Sequence, residues 1–494
     1  MELTARRPPM ARGRAWVRAN PAMAVLAGLM VIGLLLRVYF LLVWRPAITG
    51  YSDSGIYFQG GVQSVWSDPL RTVGYSMFLR LLHGISPHLL LVTIVQHLLG
   101  LASALLFYAA TRRAGGPRWA ALAPAAIIAL GGDQLFLEHA ALSDAVFIFL
   151  LAAMLYCTIR ARAGSLRWAA LAGLLAGLAV WDREAAIELA PVLALWLVFS
   201  YGRPRWDLVA TGGLTLVVAI GTVNVYEVWR HAETGQRGLT TNGNWNVYGR
   251  AAPWADCSKF TPPQGTQQLC DPVPVSQRHW KTSEYYIYDP RSPAQKLLGP
   301  PYLVSKDPYA MRRLLEFSES AIWGQPLDYL RAVWLDVIRL FNPGARSYGD
   351  LSAQQLIDFM LYGPDMHSGT NSFVSYWQQL LYPGDSPAYR GPIGPLKTWE
   401  KLTRITGVWM ALLLALCLAS PWLVPRPARA GAILFGLVAL VLLFFPILTK
   451  SYDYRFVIPA FGPLFAVGAL STWGLGRRTR AWRARRAAAT PASP

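Results

Sequence analysis

The sequence predicts an all-α polytopic membrane protein with about ten transmembrane helices, outer-surface juxtamembrane helices and a mixed, mostly helical extracytoplasmic segment. Apolar stretches such as residues 21–44 exceed the roughly 20 residues that are needed to cross a bilayer. The segments on one side of these stretches carry 21 Arg and one acid, Glu2. Because excess Lys and Arg in short loops marks the cytoplasmic side, both termini are expected inside.

The predicted spans follow the apolar runs in chain order. They cover residues 22–44, 89–110, 117–132, 140–159, 166–181, 185–201, 207–229, 406–424, 428–448 and 454–475. The third and fifth are short, which suits tilted or half-buried helices. The first has the basic flank of a signal peptide, but it is too long and lacks a small-residue cleavage site, so we expect a retained signal anchor.

These spans divide the chain into four parts. The parts are an N-terminal membrane module at 1–229 with its first outer loop at 45–88, an extracytoplasmic segment at 230–405, C-terminal transmembrane helices at 406–476 and a basic cytoplasmic tail at 477–494. In the first loop, residues 54–66 and 74–85 have helix-compatible patterns. In the long segment, residues 240–250 and 261–265 predict irregular structure, whereas 307–341 predicts amphipathic helices.

The formal net charge of +19 does not indicate nucleic-acid binding. The excess lies in the predicted inner loops, while residues 230–405 are nearly balanced, with 18 basic and 15 acidic side chains. Basic inner tails that touch anionic lipid headgroups explain the charge better. Arg outnumbers Lys 39 to 7, a composition typical of GC-rich bacterial genomes, so the bacterial plasma membrane is the expected location.

The cysteines divide between the spans and the outer segment. Cys157 and Cys417 fall inside spans, where small apolar roles are expected. Cys257 and Cys270 fall in the outer segment, where oxidising conditions favour a disulfide between them. A reactive thiol or a metal pair is the alternative, although no His or Cys partner lies at metal-ligand spacing.

Ionisable residues gather at the predicted outer membrane surface, where charges require a functional explanation. Those of interest are Asp53, Asp133, Glu138, His139, Asp144, Asp182, Arg183, Glu184, Lys450 and Arg455. The carboxylate and imidazole groups of 133–144 suit acceptor hydroxyls or a divalent cation, Mg²⁺ or Mn²⁺. The Arg side chains suit bidentate binding of phosphate oxygens.

Each of these residues also has a structural alternative. Asp53 is a solvated loop residue or a helix N-cap in the simplest interpretation. The polar residues of 133–144 then cap a span at headgroup level, and Arg183 pairs with a neighbouring acid. Lys450 and Arg455 then anchor the last span at the interface.

A set of motifs occurs in a fixed order along the chain. The motifs are Asp53 followed by Tyr57, a Gly-Tyr aromatic helix at 72–82, LSDAVFIFL at 142–150, an Arg-Glu entrance at 183–184 and YRFVIP at 454–459. This order resembles the GT-C superfamily of polyprenyl-phosphate-sugar-dependent glycosyltransferases, which includes protein O-mannosyltransferases, aminoarabinose transferases and arabinosyltransferases. The resemblance covers residues 22 to about 230 and 445–465.

The chain departs from the GT-C pattern in four places. Ser54 stands where many mannosyltransferase-like relatives carry a second acid, and RTVGYSMF at 71–78 replaces a Pro-rich stretch. Asp144 replaces the Glu of a Ser-Glu pair, and Phe456 replaces a Tyr after the final Arg. No resemblance is assigned to residues 230–405, so the acceptor stays open.

The resemblance implies an enzyme that moves a sugar from a polyprenyl-phosphate donor to a hydroxyl of a glycan, lipid or protein acceptor at the extracytoplasmic face, inverting the anomeric centre. It implies that Asp53 is the catalytic base or orients the acceptor, and that Arg455 binds the lipid phosphate. Lys450 and Arg183 would add positive charge there. Supporting residues are Tyr57, Tyr75, Arg37 and Tyr454. No organic cofactor is expected, and a divalent metal is left open.

Other interpretations of the sequence stay open. A transporter or flippase for a lipid-linked or small polar substrate is the first alternative, although no inverted repeat is visible. A noncatalytic scaffold in an envelope-building complex is another. Arg37 either faces the cavity or snorkels to the surface, because burying its charge is costly. Aromatic residues of the outer segment either stack on sugars or pack on the membrane interface; they are Trp245, Tyr248, Trp254, Trp280 and Tyr285.

Overall fold

The computed structural model describes residues 19–49, 52–279, 281–301, 307–342, 372–385 and 388–489. Across these ranges the chain is an all-α polytopic membrane protein, as predicted. The first half forms α1 Pro21–Val43, α2 Ser52–Val62, α3 Gly74–His83, α4 Leu89–Arg113, α5 Arg118–Leu130, α6 Gly132–His139, α7 Asp144–Ala161, α8 Leu166–Asp182, α9 Leu189–Phe199 and α10 Trp206–Thr234. The second half forms α11 Asn242–Ala251, α12 Ser283–Tyr288, α13 Pro293–Leu298, α14 Pro308–Gly324, α15 Pro326–Arg339, α16 Ser372–Leu381, α17 Gly394–Thr403, α18 Val408–Leu423, α19 Arg426–Thr449, α20 Tyr454–Val457 and α21 Phe461–Ala489.

Short elements join these helices. The 3₁₀ helices are Glu184–Ala186, Gln267–Leu269, Val275–Gln277 and Ile458–Ala460. Two short strands, β1 Trp44–Arg45 and β2 Ala388–Tyr389, pair antiparallel and tie the outer end of α1 to the long outer segment.

Helices occupy all the predicted spans, but fewer than ten are long enough to cross a membrane on their own. Of the described helices, six are long and apolar enough, or up to eight if each of two bent helix pairs is one span. Among the helices that occupy the predicted spans, the shortest is α9, which contains 11 residues. At about 1.5 Å per residue it is about 16 Å long, roughly half the bilayer's hydrocarbon core. It begins late because the 3₁₀ turn Glu184–Ala186 interrupts the predicted span 185–201.

The third predicted span continues into a second helix instead of ending in an outer turn. The chain bends by 46° between α5 and α6. All residues of α6 are buried, including Asp133, Glu138 and His139, which the sequence analysis assigned to an outer turn. The bend at Gly131 turns this segment back into the protein, and its polar groups must therefore find protein partners.

Close approach of α8 and α10 depends on a small-residue pattern. Gly173 and Gly177 are four residues apart on α8, and an added Cβ at either position would collide with the backbone or side chains of α10. Small residues at this spacing let transmembrane helices pack closely. This contact places the C-terminal end of α8, with Asp182, beside the loop that follows α1, where the Thr72 hydroxyl donates to the Asp182 carbonyl at 2.8 Å.

The outer segment has its own hydrophobic core. Trp245 and Tyr248 of α11 are fully buried there, packed with Tyr286 and Phe317. The prediction of irregular structure at 240–250 is therefore wrong, because tertiary packing of one apolar helix face outweighs the many Gly and Asn residues. Burial also leaves Trp245 and Tyr248 no free ring face for a sugar.

The structure also tests the predictions on the remaining helices and on the cysteines. The two helices predicted in the first loop are confirmed as α2 and α3, and those at 307–341 as α14 and α15. Cys257 and Cys270 are joined by a disulfide, while Cys157 and Cys417 are buried and free. Trp280 lies outside the described residues.

Candidate active site

Five side chains of alternating charge form a continuous ion-pair chain in the order Arg71, Asp53, Arg455, Asp144 and Arg183. Asp53 accepts from Arg71 Nη2 through Oδ1 and from Arg455 Nη1 through Oδ2, both at 2.9 Å. Asp144 accepts from Arg455 Nη2 at 2.6 Å through Oδ2 and from Arg183 through Oδ1. Three guanidinium groups face two carboxylates, so this chain carries a net positive charge.

Local backbone structure positions Arg71 in the first loop and Arg455 at the start of the last span. The Asp68 carboxylate accepts from the backbone N–H groups of Leu70 at 2.7 Å and Arg71 at 3.1 Å. Asp453 caps α20 by accepting from the Arg455 N–H at 2.9 Å. These short turns hold the guanidinium groups where both can reach Asp53, which lies in the first turn of α2.

The electrostatic field of these arginines determines how Asp53 titrates. Burial alone would raise the pKa of Asp53, but Arg71 and Arg455 overcome this effect and hold the pKa well below its usual range. Burial and the Asp53 charge raise the pKa of the Tyr57 hydroxyl to about 12. Asp53 is therefore ionised and Tyr57 neutral at ordinary pH.

Lys450 lies next to the ion-pair chain, directly after the C-terminal end of α19. Its ammonium group is 5.1 Å from the centre of the Phe456 ring. Burial and the nearby Arg71 charge lower the pKa of Lys450 to about 8. This cation therefore loses its proton far more easily than an ordinary lysine does.

All members of the ion-pair chain except Asp144 line a cavity of about 570 Å³. One wall is apolar and comes from the membrane helices, through Leu442, Phe445 and Pro446 of α19 and Phe147 of α7. The outer segment supplies a polar wall, through Asn242, Asn244, Asn246, Glu284 and Tyr288. Ile187 also lines the cavity and is 41 % exposed. The cavity thus joins a cationic site to apolar surface that belongs to the membrane region.

A second polar cluster lies away from this cavity and takes up three of the predicted site residues. Arg37 donates to both oxygens of Glu138, each at 2.8 Å, and both side chains are at most 1 % exposed. His97 contacts Glu138 through Nδ1 and His139 through Nε2, each at 3.0 Å. Arg37 therefore neither faces the cavity nor snorkels; it neutralises a buried carboxylate.

We expect Glu138→Gln to lower the stability of the fold without changing the activity of the folded molecules. The substitution leaves the Arg37 charge buried without its counter-charge, which costs about 3–5 kcal/mol of unfolding free energy in comparable pairs. Thermal unfolding in detergent measures the loss. The double variant Arg37→Met with Glu138→Leu removes both charges and should recover much of the stability. Full stability with lost activity would instead assign Glu138 to the reaction.

The remaining predicted residues, three tyrosines and Asp133, lie in or beside the site and are held by hydrogen bonds and ring contacts. Tyr454 donates to Asp133 at 2.8 Å, which fixes the start of the last span. Tyr57 contacts the Ser143 hydroxyl at 3.4 Å and lines the cavity. Tyr75 packs edge-on against Tyr57 and donates to Gln96 at 2.5 Å. Asp133 and Tyr75 are thus positioning residues and are not part of the cavity lining.

The candidate metal ligands do not assemble. Glu138 and His139 belong to the Arg37 cluster, Asp144 is held by two arginines, and Asp133 pairs with Tyr454. Over the ranges that the structure describes, no group of three or more His, Cys, Asp or Glu side chains is arranged to hold a metal ion. These residues therefore do not fit the divalent cation that the sequence left open.

Sequence reasoning missed several residues of the cavity. No role was predicted for Arg71, yet it contacts Asp53 as closely as Arg455 does. Asn242, Asn244 and Asn246 of α11 also line the cavity. Asn242 and Asn246 are four residues apart and so share one face of this helix, but the sequence did not mark the segment as a helix.

Comparisons with known proteins were made on sequence and on structure. No protein-family model and no curated protein sequence matches the chain. The Archaeoglobus fulgidus oligosaccharyltransferase in its apo form aligns with a TM-score of 0.45 and 14 % identity, over 97 % of this chain and 53 % of that one. A complex of AglB from the same organism with an inhibitory peptide and a dolichol-phosphate aligns with a TM-score of 0.48, 14 % identity and the same coverage.

A third solved structure is the same Archaeoglobus fulgidus enzyme in complex with Zn and sulfate. It aligns with a TM-score of 0.44 and 14 % identity, over 90 % of this chain and 48 % of that one. The present chain thus spans about half the length of these enzymes. Scores and identities this low do not assign an activity to this chain.

Proposed function

We propose that the protein is a GT-C-type glycosyltransferase that moves a sugar from a polyprenyl-phosphate donor to an acceptor hydroxyl. The observation that carries this proposal is the contact between Asp53 and Arg455 inside a cavity with one apolar wall. A carboxylate suits proton removal from the acceptor, and guanidinium groups suit a departing phosphate. The apolar wall suits an isoprenoid chain, which a water-filled cleft would exclude.

The reaction is a single displacement at the anomeric carbon. The acceptor hydroxyl gives its proton to Asp53 as its oxygen bonds to the anomeric carbon. The bond from that carbon to the phosphate oxygen breaks, and its electron pair stays on the phosphate. Attack opposite to the leaving group inverts the anomeric configuration. Arg455, Lys450 and Arg183 stabilise the charge that develops on the phosphate.

Donor binding would also activate the base. Asp53 is a weak base while both its oxygens accept from arginines, since these contacts hold its pKa low. A phosphate that binds Arg455 competes with Asp53 for the same guanidinium group. The contact to Asp53 then weakens and its basicity rises, so proton removal is coupled to the presence of the donor.

Assay of the purified chain with a panel of polyprenyl-phosphate sugars tests the proposal. We expect one donor to be consumed, with release of polyprenyl phosphate and inversion at the anomeric carbon. Movement of intact lipid-linked sugar across vesicles, with the sugar–phosphate bond uncleaved, would point to the transporter alternative. A topology reporter fused after residue 300 should be extracytoplasmic; a cytoplasmic result would reject the proposed side of catalysis.

The donor step should depend on pH through Lys450. With a pKa of about 8, the ammonium group is charged below pH 8 and neutral above it. We expect kcat/KM for the donor to fall about tenfold between pH 7 and pH 9, because kcat/KM reports the free enzyme. The Lys450→Arg variant keeps its charge and should show no such fall. An identical decline in both proteins would assign the titration to another group.

A further inference from the structure

Asp182 is a cavity residue that the reaction described above does not use. It ends α8, its side chain is 3 % exposed, and it lines the cavity. The first loop holds its backbone, because Thr72 donates to its carbonyl and Gly74 packs directly on the peptide between Trp181 and Asp182. The position of this carboxylate is therefore well defined before any substrate binds.

The carboxylate of Asp182 has no hydrogen-bond partner on either oxygen within the described ranges. Its neighbour Arg183 donates to Asp144 instead. The Asn246 side-chain oxygen, from the outer segment, is likewise buried without a partner and lines the same cavity. Buried polar groups are almost always hydrogen-bonded, so two buried acceptors without partners at one cavity point to a ligand that supplies the donors.

Both unmet groups are acceptors, so a ligand that satisfies them must offer hydrogen-bond donors. A phosphate offers only acceptors near neutral pH, so it cannot donate a hydrogen bond to the oxygens of Asp182 and Asn246. Sugar hydroxyl groups donate, and a carboxylate can accept from two of them at once. Because the sugar is bonded directly to the phosphate, its hydroxyls lie within one ring of the phosphate site at Arg183, the residue next to Asp182.

We propose, on the basis of the glycosyl transfer inferred above, that Asp182 accepts hydrogen bonds from hydroxyl groups of the transferred sugar and selects the donor by them. Asn246 contributes a further acceptor from the outer segment. The cationic side of the cavity then holds the phosphate, and Asp182 determines which glycosyl group is accepted.

The test compares two lipids on the full-length protein in nanodiscs. One is sugar-free polyprenyl phosphate, and the other is the polyprenyl-phosphate sugar that the panel identifies. Asp182→Asn should bind sugar-free lipid within about twofold of the unmodified protein, but bind the donor about tenfold to a hundredfold more weakly, as expected for hydrogen bonds to a charged group. Glu188→Gln changes a nearby acid that does not line the cavity, and should leave both affinities unchanged.

Each other outcome is decisive. If Asp182→Asn keeps its preference for the sugar-bearing lipid, Asp182 does not bind the sugar. If it loses both lipids equally and unfolds at lower temperature, its role is structural and the proposal fails. If the unmodified protein binds no polyprenyl phosphate and cleaves no donor, the proposed function itself fails.

A second measurement needs no variant and therefore tests the proposal even if Asp182→Asn does not fold. Donor analogues that each lack one ring hydroxyl are offered to the unmodified protein. At least one should bind tenfold or more weakly, because Asp182 then loses a donor that nothing replaces. Equal affinity for every deoxy analogue would overturn the proposal.

Discussion

Replacing Asp53 with Asn is expected to lower sugar transfer by about 10²- to 10⁴-fold, the usual contribution of a general base. Asn has nearly the same shape but does not take up the acceptor's proton. Donor binding should survive or improve, because Arg71 and Arg455 no longer share their charge with a carboxylate. Single-turnover rates at saturating donor, together with the affinity for sugar-free polyprenyl phosphate, measure the two effects separately.

The Asp336→Asn variant is a matched control for this experiment. Asp336 is also buried and also accepts from two arginines, Arg250 at 2.5 Å and Arg339 at 2.6 Å, but it does not line the cavity. Its replacement removes the same kind of double ion pair and should lower thermal stability without changing transfer per folded molecule. Full transfer activity in Asp53→Asn would show that Asp53 is not the catalytic base. Equal losses of activity in both variants would show that the loss in Asp53→Asn comes from lower stability.

How far the sequence predicts this site depends on the origin of each contact. Asp53 and Arg455 lie 402 positions apart, yet both follow from membrane topology, because each stands at the outer end of a recognisable apolar span. The partner of Glu138 does not follow from topology. It depends on the bend at Gly131, which turns α6 into the protein toward Arg37, and no periodicity in the sequence encodes that direction.

The outer segment shows the same division. Amphipathic patterns predict α14 and α15, because one face of each helix repeats along the sequence. The helix α11 is invisible to such reasoning, since its Gly and Asn residues favour turns and only burial of Trp245 and Tyr248 stabilises it. Residues that approach the cavity from this segment, such as Asn246, are therefore found only once the fold is known.

Of the substitutions considered, replacement of Arg455 is expected to lower kcat/KM for the donor the most. This side chain is 4 % exposed and connects both carboxylates of the ion-pair chain, so a donor phosphate would meet its charge with little surrounding water. Loss of one preorganised charge-stabilising group in such a setting costs about 10²- to 10³-fold in rate. We expect Arg455→Gln to lose at least that much in kcat/KM for the donor, with the acceptor KM within about twofold of its original value.

Two further variants separate charge from geometry. Arg455→Lys keeps the charge but loses the planar pair of N–H groups, so we expect an intermediate loss, because bidentate contacts to carboxylate and phosphate disappear together. Arg404→Gln removes a buried guanidinium that pairs with Glu400 outside the cavity, and should leave donor kinetics unchanged. Unchanged donor kcat/KM in Arg455→Gln would remove the phosphate role of Arg455. A full rescue by Lys would show that positive charge alone is what the donor requires.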